Sequence, residues 1–175
     1  MTGPFIDVAT ALFVAASSVA RDAPATVLER GDGYTFERPA DWHVESFKGG
    51  FFLRSPQYGG AIIIGDQARA PRDRPAFESL VADMVNHLPS VTSPRVTEKA
   101  ADRIAGRDAF SVHYVAEARI GGDAAGLASA VILPDDRVLS FILRAIPAER
   151  LAEWGPLYRR LLDSVRLVSP EPPAR

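Results

Sequence analysis

Cysteine is absent from this chain of 175 residues. Its absence excludes a disulfide framework, a thiolate metal site and a cysteine nucleophile. An excess of charge of either sign is also absent, since the formal net charge is only −2. Binding to nucleic acid or to an anionic membrane surface depends on a strongly basic patch. The sequence therefore predicts that nucleic acid is not a partner.

Histidine, a common general base and metal ligand, occurs only at His43, His87 and His113. These positions match none of the HxH, HxxxH or HExxH spacings. The motifs G-x-S-x-G, G-x-G-x-x-G and the P-loop are missing as well. Ser111 and His113 would share one face of a strand, but such a set arises by chance in most chains of this size. The sequence therefore predicts no metal, no cofactor and no enzymatic activity.

The remaining composition is that of an ordinary globular protein, with 47% hydrophobic residues. This content and length are enough for one domain with a sizeable core. Lysine is restricted to Lys48 and Lys99, while arginine and alanine are frequent. We interpret this bias as that of a GC-rich bacterial genome and not as a binding signal.

The N-terminal segment permits two interpretations. An apolar run within residues 5–20 ends in the small-x-small pattern Ser18-Val19-Ala20, as in a signal peptide, although residues 1–5 carry no basic side chain. Cleavage after Ala20 would make the protein periplasmic or secreted; an intact segment would form a helix on a cytoplasmic protein. The run is too short for a transmembrane helix. We expect a linker at 21–32, a single domain at 33–168 and a disordered, proline-rich tail at 169–175.

Strand patterns dominate the first part of this domain. We expect strands at Tyr34–Glu37, Trp42–Phe47, Phe51–Ser55 and Ala61–Gly65, with glycine-rich turns between the later ones. Three consecutive isoleucines in the last of these indicate a strand buried on both faces. A helix follows over Pro75–Leu88, where apolar residues recur at helical spacing.

In the second part of the domain, strands are again followed by a helix. A polar edge strand is predicted over residues 95–104, with a bulge near Ala100-Ala101. An alternating strand follows around Phe110–Ala116, and a hairpin turns at residues 134–137. A second helix begins at Pro147, with a kink or a restart at Gly155-Pro156, and residues 165–168 form a closing strand. The sequence predicts an α+β domain in which helices pack on an antiparallel β-sheet.

Four patterns in this order resemble the PsbP-like family, which includes photosystem PsbP proteins, Ran-binding Mog-type proteins and bacterial DcrB-type domains. They are Tyr34–Trp42, the helix Pro75–Leu88, the turn Ile104–Ala109 and the final Asp163–Leu167. The resemblance covers residues 33–168 and implies an αβα sandwich. It also implies a binding or assembly factor and not an enzyme. Because the manganese- and calcium-associated motifs of the plant branch are missing, it implies no functional residues.

Two groups of side chains are candidates for a binding surface. The first is aromatic and consists of Trp42, Phe47, Phe51 and Tyr58, which lie close together in sequence. Exposed aromatic side chains mark contact surfaces, whereas covered ones belong to the core. The second is a loop with three arginines, Arg69, Arg72 and Arg74. It would bind an acidic partner or a phosphate, or would be a solvated loop before the helix.

The sequence leaves three functions open. The preferred one is a non-enzymatic binding or assembly factor whose partner is another protein; with an intact N-terminus it would fit a cytoplasmic chaperone for secreted cargo. The alternative is a small-molecule or lipid carrier, which requires a deep apolar cavity under Trp42 and Phe51. The third is a hydrolase that uses Ser111 and His113.

Overall fold

The computed structural model describes residues 25–67 and 69–168, so the predictions for residues 1–20 and for the tail at 169–175 lie outside the described residues. The helices are α1 (Arg74–Met84) and α2 (Leu151–Ser164). The strands are β1 (Thr26–Arg30), β2 (Tyr34–Pro39), β3 (His43–Phe47), β4 (Gly50–Arg54), β5 (Gly60–Gln67), β6 (Val91–Ile104), β7 (Arg107–Ala118), β8 (Asp123–Ile132), β9 (Val138–Ala145) and β10 (Arg166–Leu167).

The described strands form two antiparallel sheets. The larger sheet has seven strands in the order β3-β4-β5-β9-β8-β7-β6, and the smaller has three in the order β1-β2-β10. Helix α1 packs on one face of the larger sheet, against β7 and β8. Helix α2 and the smaller sheet cover the other face. This arrangement confirms the predicted α+β sandwich of an antiparallel sheet with helices packed on it.

Side-chain alternation along the central strands divides the core into two clusters. On β5, Ile62 and Ile64 point into the cluster that contains Trp154 and Tyr158 of α2. Ile63 points to the opposite face and packs on the cluster of α1. A strand with covered faces on both sides has no polar side, which explains the unbroken isoleucine run. The prediction of burial on both faces is confirmed.

Local signals fix the first helix. The side chain of Asp73 accepts a hydrogen bond of 2.8 Å from the Ala76 backbone N–H, which makes it the N-cap. Pro75 lies in the first turn, where it removes no intrahelical hydrogen bond. The α-helix ends at Met84, and a 3₁₀ turn continues it to His87, one residue before the predicted end at Leu88.

The second helix runs through Gly155-Pro156 as one α-helix, so of the two predicted alternatives the restart is wrong. Proline at 156 removes the hydrogen bond to the carbonyl of Ala152. Ala152 and Pro156 are both exposed, so water can donate a hydrogen bond to the Ala152 carbonyl. The predicted bulge is also misplaced, because the register of β6 against β7 shifts between Thr92 and Arg95 and again between Val96 and Glu98.

The segment that we predicted as a linker contains a strand. Residues Thr26–Arg30 form β1 and pair with β2, with Leu28 opposite Glu37. Four of its five side chains are exposed, so its sequence carries little buried apolar pattern. Backbone pairing and the ion pair of Glu29 with Arg38, at 2.8 Å, hold it in place. The smaller sheet therefore depends on contacts that sequence periodicity does not report.

Candidate binding groove

One row of residues crosses four strands of the larger sheet on the side of α1. Register pairs Arg54 of β4 with Ala61 of β5, Ala61 with Arg144 of β9, and Arg144 with Gly126 of β8. Directly paired residues of antiparallel strands point to the same face. The two arginines therefore project to the same face, with only Ala61 between them in this row.

Gly126 is required by a close approach of another side chain. A Cβ at this position would overlap the hydroxyl of Tyr114 and the carbonyl oxygen of Leu143. The hydroxyl of Tyr114 donates a hydrogen bond of 3.0 Å to that carbonyl, and burial raises the pKa of the phenol. The protonated phenol thus forms a fixed wall beside Arg144.

This row opens into a groove of about 600 Å³. The groove lies where the β4–β5 turn, the segment after α1 and the β7–β8 turn meet. Its lining is basic and apolar and consists of Arg54, Ser55, Pro56, Gln57, Tyr58, Gly59, Gly60, Pro89, Ser90, Arg119, Ile120, Arg144 and Ile146. Three of these residues are arginines, and this lining contains no carboxylate.

Arg144 is the least compensated of the three arginines. Its Nε is buried and is the only such side-chain nitrogen or oxygen without a hydrogen-bond partner in the described part of the chain. Burial lowers the pKa of its guanidinium, and Arg54 acts in the same direction, although the neighbouring phenols of Tyr114 and Tyr58 oppose this change. An unsatisfied buried donor costs about 1–3 kcal/mol of stability. The folded protein therefore retains, beside the groove, an arginine N–H donor that no described residue satisfies.

The other two arginines differ in their partners. Arg54 approaches Glu45 on β3 at 3.3 Å, with both side chains about half exposed, so the pair is weak. Its guanidinium also lies 5.1 Å from the ring centroid of Phe52. Within residues 25–67 and 69–168, no carboxylate lies within ion-pair distance of Arg119 or Arg144.

The β4–β5 turn presents Tyr58 at the rim of the groove. Arg150 donates a hydrogen bond of 3.1 Å to the carbonyl of Tyr58 and another to the side chain of Gln57. The guanidinium of Arg150 lies 4.2 Å from the ring centroid of Trp154 in α2, which supports it from the core. Tyr58 is thereby fixed in an exposed position, with 73% of its surface accessible.

The aromatic residues predicted as one surface separate in the structure. Trp42 is only 4% exposed and belongs to the core cluster, so its ring is not available for contact. Phe51 packs edge-to-face on Phe36, at a centroid distance of 5.3 Å. Phe47 is half exposed at the end of β3, and Tyr58 lines the groove. Of these four residues, only Tyr58 meets the arginine row.

The predicted arginine loop forms a different, smaller pocket. Arg72 and Arg74 line a cavity of about 230 Å³ beside the first turn of α1, together with Asp73, Glu78 and Asp108. Arg74 donates a 2.7 Å hydrogen bond to Glu78, and the acidic neighbours balance the positive charge. Arg69 is exposed and is not part of this lining. The loop therefore offers a weaker anion site than the groove.

Sequence reasoning missed Arg54, Arg119, Ile120 and Arg144. One signal was available for Arg144, because it is the only charged residue in the apolar strand Val138–Ala145. A charge within a strand that is otherwise buried is informative in itself. The other residues join the site only through strand register, which the sequence does not give.

The space under Trp42 and Phe51, which a carrier would need as a cavity, is filled by packed side chains. Tyr34 and Phe36 occupy it, and their rings stack at 6.2 Å. The hydrolase set is also not assembled. The hydroxyl of Ser111 donates to Asp102 at 2.8 Å, while the exposed His113 lies 3.9 Å from Glu98. A nucleophile needs a base that accepts its proton, and Ser111 contacts a carboxylate already paired with Arg159.

The Asp102 network supports a pH-dependent prediction. Burial would raise the pKa of Asp102, but hydrogen bonds from Arg159 and Ser111 and from the Arg103 amide hold it below its usual range. A carboxyl with a lowered pKa in the folded state adds stability above its unfolded-state pKa, near about 4. This stability is lost as the pH falls through the folded-state pKa. We expect Asp102→Asn to lower the free energy of unfolding by about 1 kcal/mol at pH 7.

Urea unfolding between pH 2 and pH 7 would measure this effect. The difference between the wild type and Asp102→Asn should shrink below pH 4, because the wild-type carboxyl then also becomes neutral. Asp41→Asn is the matched control, since Asp41 is exposed in a turn. A difference that stays constant down to pH 2 would show that the charge of Asp102 does not stabilise the fold.

The described residues offer neither a metal centre nor a membrane span. No group of three or more His, Cys, Asp or Glu side chains in this part of the chain is arranged to hold a metal ion. None of the helices formed by residues 25–67 and 69–168 is long and apolar enough to cross a membrane.

No protein-family model and no curated protein matches the chain. Its structure is similar to that of cyanobacterial PsbP (CyanoP) from Synechocystis sp. PCC 6803, with a TM-score of 0.61 and 14% identity over 85% of this chain and 96% of the other. For the Ran-binding protein Mog1p of Saccharomyces cerevisiae the TM-score is 0.59, with 10% identity over 84% of this chain and 97% of Mog1p. For LpqN of Mycobacterium tuberculosis, involved in cell envelope biogenesis, the TM-score is 0.56, with 14% identity over 83% of this chain and 91% of LpqN. These similarities confirm the predicted resemblance at the level of the fold.

Proposed function

We propose that this protein is a non-enzymatic binding or assembly factor that holds another protein in the groove beside the β4–β5 turn. The observation that carries the proposal is a basic groove whose central charge is unpaired and whose rim exposes large apolar side chains. Arg144 supplies that charge, and Tyr58 and Ile120 are 73% and 67% exposed.

The composition of the groove favours a protein partner over a small molecule. Tyrosine and arginine are enriched in protein interfaces and supply a large share of their binding energy. A pocket for a small molecule encloses most of its ligand within apolar walls. Here the apolar residues Tyr58 and Ile120 lie at the exposed rim, where they would contact a surface larger than the groove.

Two further observations support the proposal. Mog1p, which has the same fold, is a Ran-binding protein, so a protein partner is compatible with this architecture. The set that a hydrolase would need is not assembled, since Ser111 contacts Asp102 and Ser129. The proposed function uses an accessible surface and needs no chemical step.

Site-specific crosslinking tests this function. A photoreactive benzoylphenylalanine replaces Tyr58 in the full chain, and the same group replaces Arg107 as a control, because Arg107 is exposed at the far end of β7. In an extract of the native organism, we expect position 58 to crosslink to the same polypeptide that the wild type retains on a column. Equal crosslinking from both positions, or none from position 58 despite retention, would exclude the groove as the binding surface.

A further inference from the structure

The positive charges of the groove come from three separate parts of the chain. Arg54 and Arg144 lie on β4 and β9 with only β5 between them. Neighbouring strands are about 4.8 Å apart, so the Cα atoms of these arginines are roughly 10 Å apart. Arg119 follows β7 and adds a third guanidinium from the β7–β8 turn. Together these three arginines form the basic track of the groove.

From this track we infer that the partner's contact segment is acidic: a side-chain carboxylate pairs with Arg144 while an adjacent apolar side chain packs between Tyr58 and Ile120. This inference rests on the proposed function and specifies the chemistry of the partner at the same groove. It makes Arg144 the residue that determines specificity.

The geometry of Arg144 supports a carboxylate. A guanidinium binds a carboxylate through two parallel N–H···O hydrogen bonds, which give both strength and orientation. Only the Nε of Arg144 is fully buried, and no described residue accepts a hydrogen bond from this side chain, so its two terminal nitrogens remain available to a carboxylate. The lining of the groove contains no Asp or Glu. Glu45, outside the lining, contacts Arg54, and no carboxylate in the part of the chain that the structure describes competes with the ligand for Arg144.

The rim supports a peptide segment over a free anion. An inorganic anion would use only the arginines, and the exposed apolar surface of Tyr58 and Ile120 would then have no role. A segment with alternating acidic and apolar residues satisfies both parts of the groove. Such complementarity of charge and apolar contact is what gives an interface its specificity.

The test measures binding of a defined peptide to the full chain by isothermal titration calorimetry. The probe is a ten-residue peptide of alternating Glu and Leu with blocked termini, and the control peptide carries Gln in place of every Glu. We expect the acidic peptide to bind and Arg144→Gln to weaken its binding by about thirtyfold or more. Arg144→Lys keeps the charge but loses the planar fork, so it should weaken binding by a smaller factor.

Matched measurements separate a binding role from a structural one. Register places Arg144 level with Tyr114 of β7. Arg107→Gln makes the same charge change seven residues away from Tyr114, roughly 23 Å along the strand, and should leave peptide binding unchanged. The melting temperature of Arg144→Gln without peptide should equal or exceed that of the wild type, because its unpaired buried donor is gone. In NMR spectra, the Arg144 Nε–H resonance should shift when the acidic peptide is added.

The outcomes also separate this inference from the proposed function. Equal binding of the Glu and Gln peptides, or unchanged binding by Arg144→Gln, would overturn the inference while position 58 could still crosslink to a partner. Binding of inorganic phosphate at millimolar concentration without binding of the acidic peptide would likewise overturn it, since the site would then be one for small anions. Peptide binding without a crosslinked partner would overturn the proposed function, although the groove itself would still recognise acidic segments.

Discussion

Replacement of Trp154 by alanine is expected to lower the free energy of unfolding by about 3–5 kcal/mol, as is typical for a large aromatic side chain removed from a core. Trp154 is 1% exposed and lies in the cluster between α2 and the larger sheet. Its indole packs so closely on the backbone of β5 that a Cβ at Gly60 would lie 2.9 Å from the ring. The packing around it therefore has little freedom to close the cavity.

The Trp154→Ala substitution should also loosen the β4–β5 turn, which lines the groove. The guanidinium of Arg150 lies over the Trp154 ring and, from there, binds the carbonyl of Tyr58. Without the ring, Arg150 loses the surface that orients its guanidinium. The β4–β5 turn then loses the hydrogen bond from Arg150 to the Tyr58 carbonyl. We expect faster hydrogen exchange at the Ile146 amide, which donates to the Gly59 carbonyl at 3.0 Å.

Trp154→Phe is the control, because it retains an aromatic surface under Arg150. It should cost less stability than Trp154→Ala and leave the exchange of the Ile146 amide nearly unchanged. Unfolding in guanidinium chloride gives the stability of each variant. A loss below 1 kcal/mol for Trp154→Ala would show that this ring does not fill the core, and equal exchange in both variants would show that it does not support the turn.

The fold could be predicted to a large extent because its main elements carry local signals. The alternation of Phe110, Val112 and Tyr114 marked one buried face of β7, and all three are buried. In the smaller sheet, β2 and β10 were predicted as strands, but β1 was missed because it exposes most of its side chains. Such a strand is formed by pairing with β2, and pairing is set by the tertiary structure.

The groove was less predictable, because its residues meet through register. Arg54, Gly126 and Arg144 are distant in sequence and become neighbours only when β4, β5, β9 and β8 pair. Proximity in sequence also led to a wrong grouping of residues. Trp42 and Tyr58 were predicted on one surface, yet one ring is in the core and the other is exposed. The direction of a side chain after a turn depends on which face the next strand presents.

Substitution of Gly59 by alanine is expected to lower the free energy of unfolding by about 3 kcal/mol or more. Gly59 has a φ of 98°, in a region that L-residues rarely adopt. A Cβ there would also overlap the carbonyl oxygen of Ile146, so the β4–β5 turn would have to move away from the end of β9. That movement would break the hydrogen bond from the Ile146 amide to the Gly59 carbonyl.

Gly121→Ala separates the two causes. Gly121 has nearly the same conformation, with a φ of 93°, but a Cβ there would meet nothing within 4 Å. Its substitution should therefore cost only the conformational strain, about 1–2 kcal/mol. The excess for Gly59→Ala, measured by denaturant unfolding of both variants, reports the close approach of the turn to β9. If the two variants lost equal stability, backbone conformation alone would fix this turn, and Tyr58 would not depend on contact with β9 for its position at the groove.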